Sequence, residues 1–167
     1  MKPEAIERTL VLLKPDAIKR GLVGEITTRF ERAGMKIVGM RLCWVKADKA
    51  GEHYGEDIIK RRGEKVRNNL MDFITSGPVV AMVIEGVDAI ENVRMMVGPT
   101  EPKAALPGTI RGDYAHVSYR HADAQGKVVE NLVHASSDKN DAEREIYLWF
   151  NEDELFEYQT VYEAHTF

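Results

Sequence analysis

The chain has one cysteine, Cys43, so an internal disulfide is excluded. Its place in the apolar run "RLCWV" is that of a small buried side chain in a reducing compartment. Long apolar runs are also missing. None approaches the ~18 residues that a membrane span requires, and "TLVLL" is too short for a signal-peptide core and runs straight into Lys14 and Asp16. A cytoplasmic protein without a membrane partner is expected. Positive charge is not in excess, since 23 basic residues face 27 acidic ones for a formal net charge of −4. That balance argues against broad electrostatic binding to nucleic acid, so no specific nucleic-acid partner is expected and an anionic ligand must be met by particular residues. The usual nucleotide and hydrolase signatures are absent too: there is no GxxxxGK[ST] loop, no GxGxxG, no HExxH and no GxSxG.

What is present is an ordinary globular composition, 44% hydrophobic and 30% charged over 167 residues, without internal repeat or low-complexity segment. This length supports one sizeable core, and a single domain over residues 1–167 is expected. "RTLVLLK" reads as a short buried strand ending at Lys14-Pro15. Val23, Ile26, Phe30 and Ala33 mark a helix that Gly34 stops. "MKIVGMRLCWV" reads as a second strand with Val38, Met40, Leu42 and Trp44 on one face. Residues 47–76 look helical with a polar break at "KRRGEK", "GPVVAMVIEG" is a third strand, and Ala89, Val93, Met96 and Val97 mark the next helix. The loop "GPTEPKAALPGTIRGD" follows, with three prolines and three glycines, and loops of that length are often functional. "KVVENLVH" is expected as the fourth strand, and "DKNDAEREIYLWF" as a last helix with Ala142, Ile146, Trp149 and Phe150 toward the core. The order βαββαβ predicts an α+β fold. It is a ferredoxin-like antiparallel sheet with helices on one face, an extra helical insertion and a C-terminal helix.

Of five histidines, His53 sits on a helix face where a surface or packing role is about as natural as any other, and His116, His121 and His165 fall in polar or terminal segments. His134 differs because it ends a strand and precedes a helix whose first N–H groups favour anions. An imidazole there can attack phosphorus without a separate base. A strand-end histidine bonded to backbone is the alternative, and both readings stand on local context. Asp138 and Glu145, seven residues apart, can both face back toward His134 or simply be solvated acids. Lys14 at a strand end, Arg94 before the long loop, and Thr100 and Arg111 within it can together meet a polyphosphate, although each alone is an ordinary surface residue. "RGD" in that loop is no sign of adhesion.

"ERTLVLLKPDAIKRGLVGEI", "SGPVVAMVIEG", "PGTIRGD" and "NLVHAS…AEREI", in that order, resemble the nucleoside diphosphate kinase family from about Glu7 to Phe150. The resemblance implies that His134 is transiently phosphorylated during ping-pong transfer of a γ-phosphoryl group from a nucleoside triphosphate to a diphosphate. It implies that Lys14, Tyr54, Arg94, Thr100, Arg111 and Asn131 hold phosphates or ribose, and that Ser136 and Glu145 support the histidine. It further implies Mg²⁺ bound mainly by the nucleotide's phosphates, with no protein metal ligand, and a homo-hexamer, or in some members a tetramer.

Three departures stand out. Where the family usually carries Pro-Phe-Phe, with the first Phe packing on the base, Val66 occupies that position, and no aromatic lies between Tyr54 and Phe73. Weaker nucleotide binding with retained chemistry is expected, because base stacking on an aromatic contributes on the order of 1–3 kcal/mol. The interval after "HY" is longer and carries Lys60, Arg61, Arg62, Lys65 and Arg67, and the stretch "YAHVSYRHADAQGK" is also long, with a hairpin turning at Gly126 as its expected form. "HASSD" moves the usual acid to Asp138, which leaves the following helix cap open. A non-catalytic relative with a decayed base site is the competing reading. Retention of His134, Lys14, Arg94, Arg111, Asn131 and Glu145 argues against it.

Overall fold

The computed structural model describes residues 5–166. In chain order the elements are β1 (Ile6–Leu13), α1 (Pro15–Lys19), α2 (Val23–Arg32), β2 (Lys36–Trp44), α3 (Ala47–His53), α4 (Glu56–Arg62) and α5 (Glu64–Ile74). They continue as β3 (Pro78–Val87), α6 (Ala89–Val97), α7 (Ile110–Tyr114), α8 (Tyr119–Ala124), β4 (Val133–Ala135), α9 (Lys139–Trp149) and α10 (Glu163–Thr166). The four strands form one antiparallel sheet in the order β2-β3-β1-β4.

Strand alternation divides the core in two. Leu10, Leu12, Val79, Ala81 and Val83 point to one face, against Ala50, Ile74, Ile146 and Trp149 of α3, α5 and α9. Val11, Leu13, Val80, Met82 and Ile84 point to the other, against Ile26 and Phe30 of α2 and Val93 and Val97 of α6. These residues alternate along β1 and β3 with the period of two that a pleated strand imposes. The two helices of the ferredoxin-like unit share one face, as expected, and the helical insertion with α9 covers the other. A central sheet covered on both sides explains why β1 reads as a continuous apolar run.

β2 departs from expectation at a bulge between Ile37 and Gly39, where Gly39 rather than Val38 comes opposite Val83. Val38 therefore stays in the core, while Met40, Leu42 and Trp44 move to the other face and are 47%, 65% and 65% exposed. One inserted residue reverses the facing of everything after it. Cys43 is thereby turned toward the α9 side and is half-buried. A Cβ on Gly39 would lie 2.8 Å from Leu155 Cδ2, so glycine is what lets the C-terminal segment close on this bulge. There Phe156 N–H donates to Val38 O at 2.8 Å and Tyr158 Oη donates to Ile37 O at 2.6 Å. Of the C-terminal trio, Leu155 packs on the core, Phe156 contributes backbone with its ring exposed, and Tyr158 contributes its hydroxyl.

Two further expectations change. β4 is three residues long, because residues 127–132 are not in a strand. The 114–127 stretch holds a helix, α8, and not a hairpin: Ser118 Oγ accepts the His121 N–H at its N-cap, and Gly126 follows with φ +63°.

Candidate active site

β1 and β4 deliver the two ends of the site. His134 lies opposite Leu12 on the central strand, which places the ring beside the carboxyl end of β1 where Lys14 emerges. The approach to His134 is tightly held. Leu132 has φ +69°, and Val133 N–H donates to Asn131 O at 2.8 Å across it, a three-residue turn of the rarer, strained hand. Its geometry is fixed from both sides, since Leu132 N–H donates to the buried Asp16 Oδ2 at 2.9 Å and Leu132 O accepts from Lys14 N–H at 2.8 Å. Asp16 is thus a site-shaping residue that sequence reasoning passed over.

α9 brings Glu145 out on the same face as Ala142, Ile146 and Trp149, and its carboxylate is buried under His134. His134 Nε2 lies 2.9 and 3.0 Å from the two carboxylate oxygens, and Ser136 Oγ donates to Oε2 at 2.6 Å. A carboxylate only accepts, so Nε2 carries the proton and Nδ1 keeps its lone pair. Burial by itself would raise the Glu145 carboxyl, but the charge that the His134 ring carries when protonated, with its hydrogen bond, prevails and holds the carboxyl down at about 2. Asp138 does not share this role. Its Oδ1 accepts the Asp141 N–H at 2.9 Å and caps α9, so the start of this helix is served by its own acid and not left open to a ligand.

Positive charge comes instead from the cleft walls. A cleft of about 490 Å³ is lined by Lys14, Tyr54, Arg94, Thr100, Arg111, Asn131 and His134, together with Arg62, Arg144 and Glu145. Lys14 Nζ donates to Asn131 Oδ1 at 2.6 Å, and Asn131 Nδ2 passes the chain on to Thr100 O at 2.8 Å. Burial, with the neighbouring charges of Arg111 and Arg62, pulls the Lys14 ammonium down to about 8. Arg111 is 7% exposed and donates to three backbone carbonyls, Asn131 O at 3.1 Å, Gly98 O at 2.8 Å and Val133 O at 2.5 Å. Burial, with the charge of Arg94, lowers its guanidinium to about 10. The "RGD" turn serves this anchor. Any Cβ at residue 112 would lie 2.0 Å from Leu106 O, and Asp113 closes the loop by accepting from Gly108 N–H at 2.8 Å and Arg29 at 2.5 Å.

His53, whose role its sequence context leaves open, is 4% exposed and packs edge-on against His134 with ring centroids 4.5 Å apart. Trp149 Nε1 donates to its Nδ1 at 3.3 Å, and burial, joined by the charge of the His134 ring when that ring is protonated, keeps it neutral, with its pKa at about 3. Tyr54, next in sequence, is buried on the cleft wall, and burial raises its phenol well above the usual range. Among the described residues His53, His134 and Glu145 bring metal-ligand atoms within 4.8 Å of one another. Those atoms are already engaged with one another, with Ser136 and with Trp149, which makes them a ring-orienting set.

Val66 does not reach His134. It lines an adjoining chamber of about 460 Å³ that shares Lys14, Arg62, Leu70, Thr100 and Asn131 with the cleft. A cationic end joined to a mixed apolar end is the shape of a nucleotide.

The family profile for nucleoside diphosphate kinase matches residues 7–155. The chain belongs to the nucleoside diphosphate kinase family. It is 50% identical over 153 residues to the nucleoside diphosphate kinase of Pyrococcus furiosus, covering 92% of this chain and 88% of that one. The enzyme of Borreliella burgdorferi is 43% identical over 155 residues, 92% and 93% of the two chains. A solved Borrelia burgdorferi nucleoside-diphosphate kinase, a transition-state mimic with bound vanadate and ADP, superposes with a TM-score of 0.96 at 41% identity over 98% of each chain. No helix among the described residues is long and apolar enough to cross a membrane.

Proposed function

We propose that this chain is a nucleoside diphosphate kinase working as a single domain, which carries a phosphoryl group on His134 between two nucleotides. The carrying observation is the Glu145 carboxylate at 2.9 Å from His134 Nε2, which leaves Nδ1 as the nucleophile in a cationic cleft. The Nδ1 lone pair forms a bond to the γ-phosphorus as the bond to the bridging oxygen breaks, and the diphosphate leaves. The Nε2 proton stays on the ring, and Glu145 balances the charge that the ring acquires. An oxygen of a second diphosphate then attacks the phosphorus, the N–P bond breaks, and its electron pair returns to Nδ1.

Lys14, Arg94 and Arg111 meet the oxygens of the transferred group, and Thr100, Asn131 and Tyr54 fix the rest of the phosphate chain and ribose. The relative solved as a transition-state mimic with bound vanadate and ADP supports phosphoryl transfer as the reaction. Mg²⁺ fits as a ligand of the nucleotide, because Glu145 is taken up by His134 and Ser136 and the surrounding wall is cationic. When bound, it neutralises phosphate charge. We further propose a cytoplasmic homo-oligomer, a hexamer or tetramer. The exposed apolar stripe on edge strand β2 supports an assembly, which light scattering of the purified protein measures.

The altered 58–69 segment favours the non-catalytic reading, but its Val66 lies in the adjoining chamber, and the bonds of Glu145 to His134 and Ser136 do not involve the segment. The test is incubation with γ-labelled ATP and Mg²⁺, then GDP. Acid-labile label on the protein, discharged to GTP and absent from His134→Ala, is expected. Nucleotide binding without label would overturn the kinase reading.

A further inference from the structure

The chamber beyond the phosphate cleft is walled by the two stretches in which this chain departs from the family pattern. Val66 and Leu70 on α5 form one side, Val128 and Val129 another, and Tyr119, the first residue of α8, faces the same space. Arg62, the last residue of α4, reaches across to it: its NH2 donates to Tyr119 Oη at 3.2 Å and its guanidinium carbon lies 5.7 Å from the ring centroid. The bridge joins residues 57 apart in sequence. Tyr119 is held from behind as well, because its N–H donates to Glu101 Oε1 at 2.8 Å in the long loop. Arg62 also lines the phosphate cleft, so the pair stands where the two chambers meet.

We propose that Tyr119 supplies the aromatic surface for the nucleotide base that Val66 does not, and that Arg62 holds it there, so the two inserted segments form a clamp over the nucleoside. This rests on the nucleotide reading of the adjoining cleft. A half-buried ring that is the one aromatic side chain lining a mixed chamber, beside Val66, Leu70, Val128 and Val129, is the natural stacking partner for a base of any identity. A guanidinium held near the ring and bonded to its hydroxyl restricts the ring before a ligand arrives, which lowers the ordering cost of binding. The arrangement suits an acceptor that varies only in its base, since stacking is tolerant of sequence where hydrogen-bond readout is not.

The test compares ADP with inorganic tripolyphosphate, a probe with phosphates but no nucleoside, by calorimetry on the full chain. Tyr119→Ala is expected to weaken ADP about tenfold and tripolyphosphate less than twofold, while Tyr119→Phe keeps most of the ADP affinity. Tyr119→Leu, which keeps side-chain volume without the ring, should repeat the loss if the alanine variant folds poorly. Val66→Phe placed in the Tyr119→Ala background should recover part of it. In an Arg62→Ala background, Tyr119→Phe should have no further effect, because the hydroxyl contact is already gone. ADP affinity within twofold of wild type in Tyr119→Ala and Tyr119→Leu, or equal weakening of ADP and tripolyphosphate, overturns the clamp. Wild type that binds ADP through Tyr119 but takes no phosphoryl from ATP would leave the clamp standing and remove the kinase reading.

Discussion

Replacing Glu145 by Gln tests the charge at the centre of the site while keeping its shape. Gln can still accept the His134 Nε2–H, so the ring stays in the same tautomer, but the negative charge that balances the phosphorylated imidazole disappears. Two unit charges about 4 Å apart at an effective dielectric of 20 interact by about 4 kcal/mol. If half of the ring's charge has developed when phosphorus is in flight, the loss is about 2 kcal/mol, or roughly 30-fold in the rate of phosphoenzyme formation. Rapid-quench measurement of label on the protein after mixing with saturating γ-labelled ATP reads this step alone. ADP affinity should change less than twofold, because Glu145 lies beneath the histidine and carries bonds to His134 and Ser136. Its low pKa, about 2, also means that the wild-type rate has no acid limb from this group above pH 4. A Gln variant that phosphorylates within threefold of wild type would refute the charge-balancing role, and an equal loss in ADP affinity would relocate it to substrate binding.

Lys14→Met should abolish transfer and yet stabilise the fold. The folded ammonium titrates at about 8 against an ordinary 10.5, so below pH 8 its charge is held at a cost of about 3 kcal/mol, partly offset by the Asn131 bond. A net gain of about 1–2 kcal/mol at pH 7 is expected by urea unfolding. Wild-type stability rises between pH 8 and 10.5, where the unfolded chain binds the extra proton, and the variant lacks that rise. His53 works at the acid end. Its folded pKa of about 3 lies below 6.5, so the unfolded chain alone takes up this proton as pH falls, and stability present above 6.5 is lost toward 3. His53→Phe should show a shallower decline in urea midpoint between pH 6.5 and 4.5, above the window in which Glu145 contributes. Arg111→Lys should cost about 2–3 kcal/mol and lower Tm by roughly 5–10 °C, since an ammonium cannot serve three diverging carbonyls at Asn131, Gly98 and Val133.

Much of this arrangement was legible in the sequence because it rests on local regularity. The alternation of Leu10 and Leu12 against Val11 and Leu13, and the spacing of Ala142, Ile146 and Trp149, follow from strand and helix periods. The features that were not legible depend on contacts from far along the chain. The β2 bulge accommodates a segment more than a hundred residues away, which closes over Gly39 through Leu155. His53 is buried by Trp149, 96 residues later, and nothing in "GEHYGED" separates it from a solvated helical histidine. Asp16 acts on the turn at Leu132, 116 residues on. For α8 a usable signal was present, since Ser118 precedes a run without proline or glycine and three residues ahead of its capping partner His121, but Gly126 invited a turn. At His134 itself the local context left two readings, and the surrounding motifs carried the catalytic one.

The most direct test of the phosphate-relay account is the position of phosphorus on the histidine. Protein phosphorylated with ATP and Mg²⁺, then examined by ³¹P NMR and by peptide mass spectrometry, should carry one phosphoryl group, on His134, attached to Nδ1. That outcome is required if Glu145 holds Nε2–H during the reaction. Phosphorus on Nε2, or on any residue other than His134, would contradict the account at its centre.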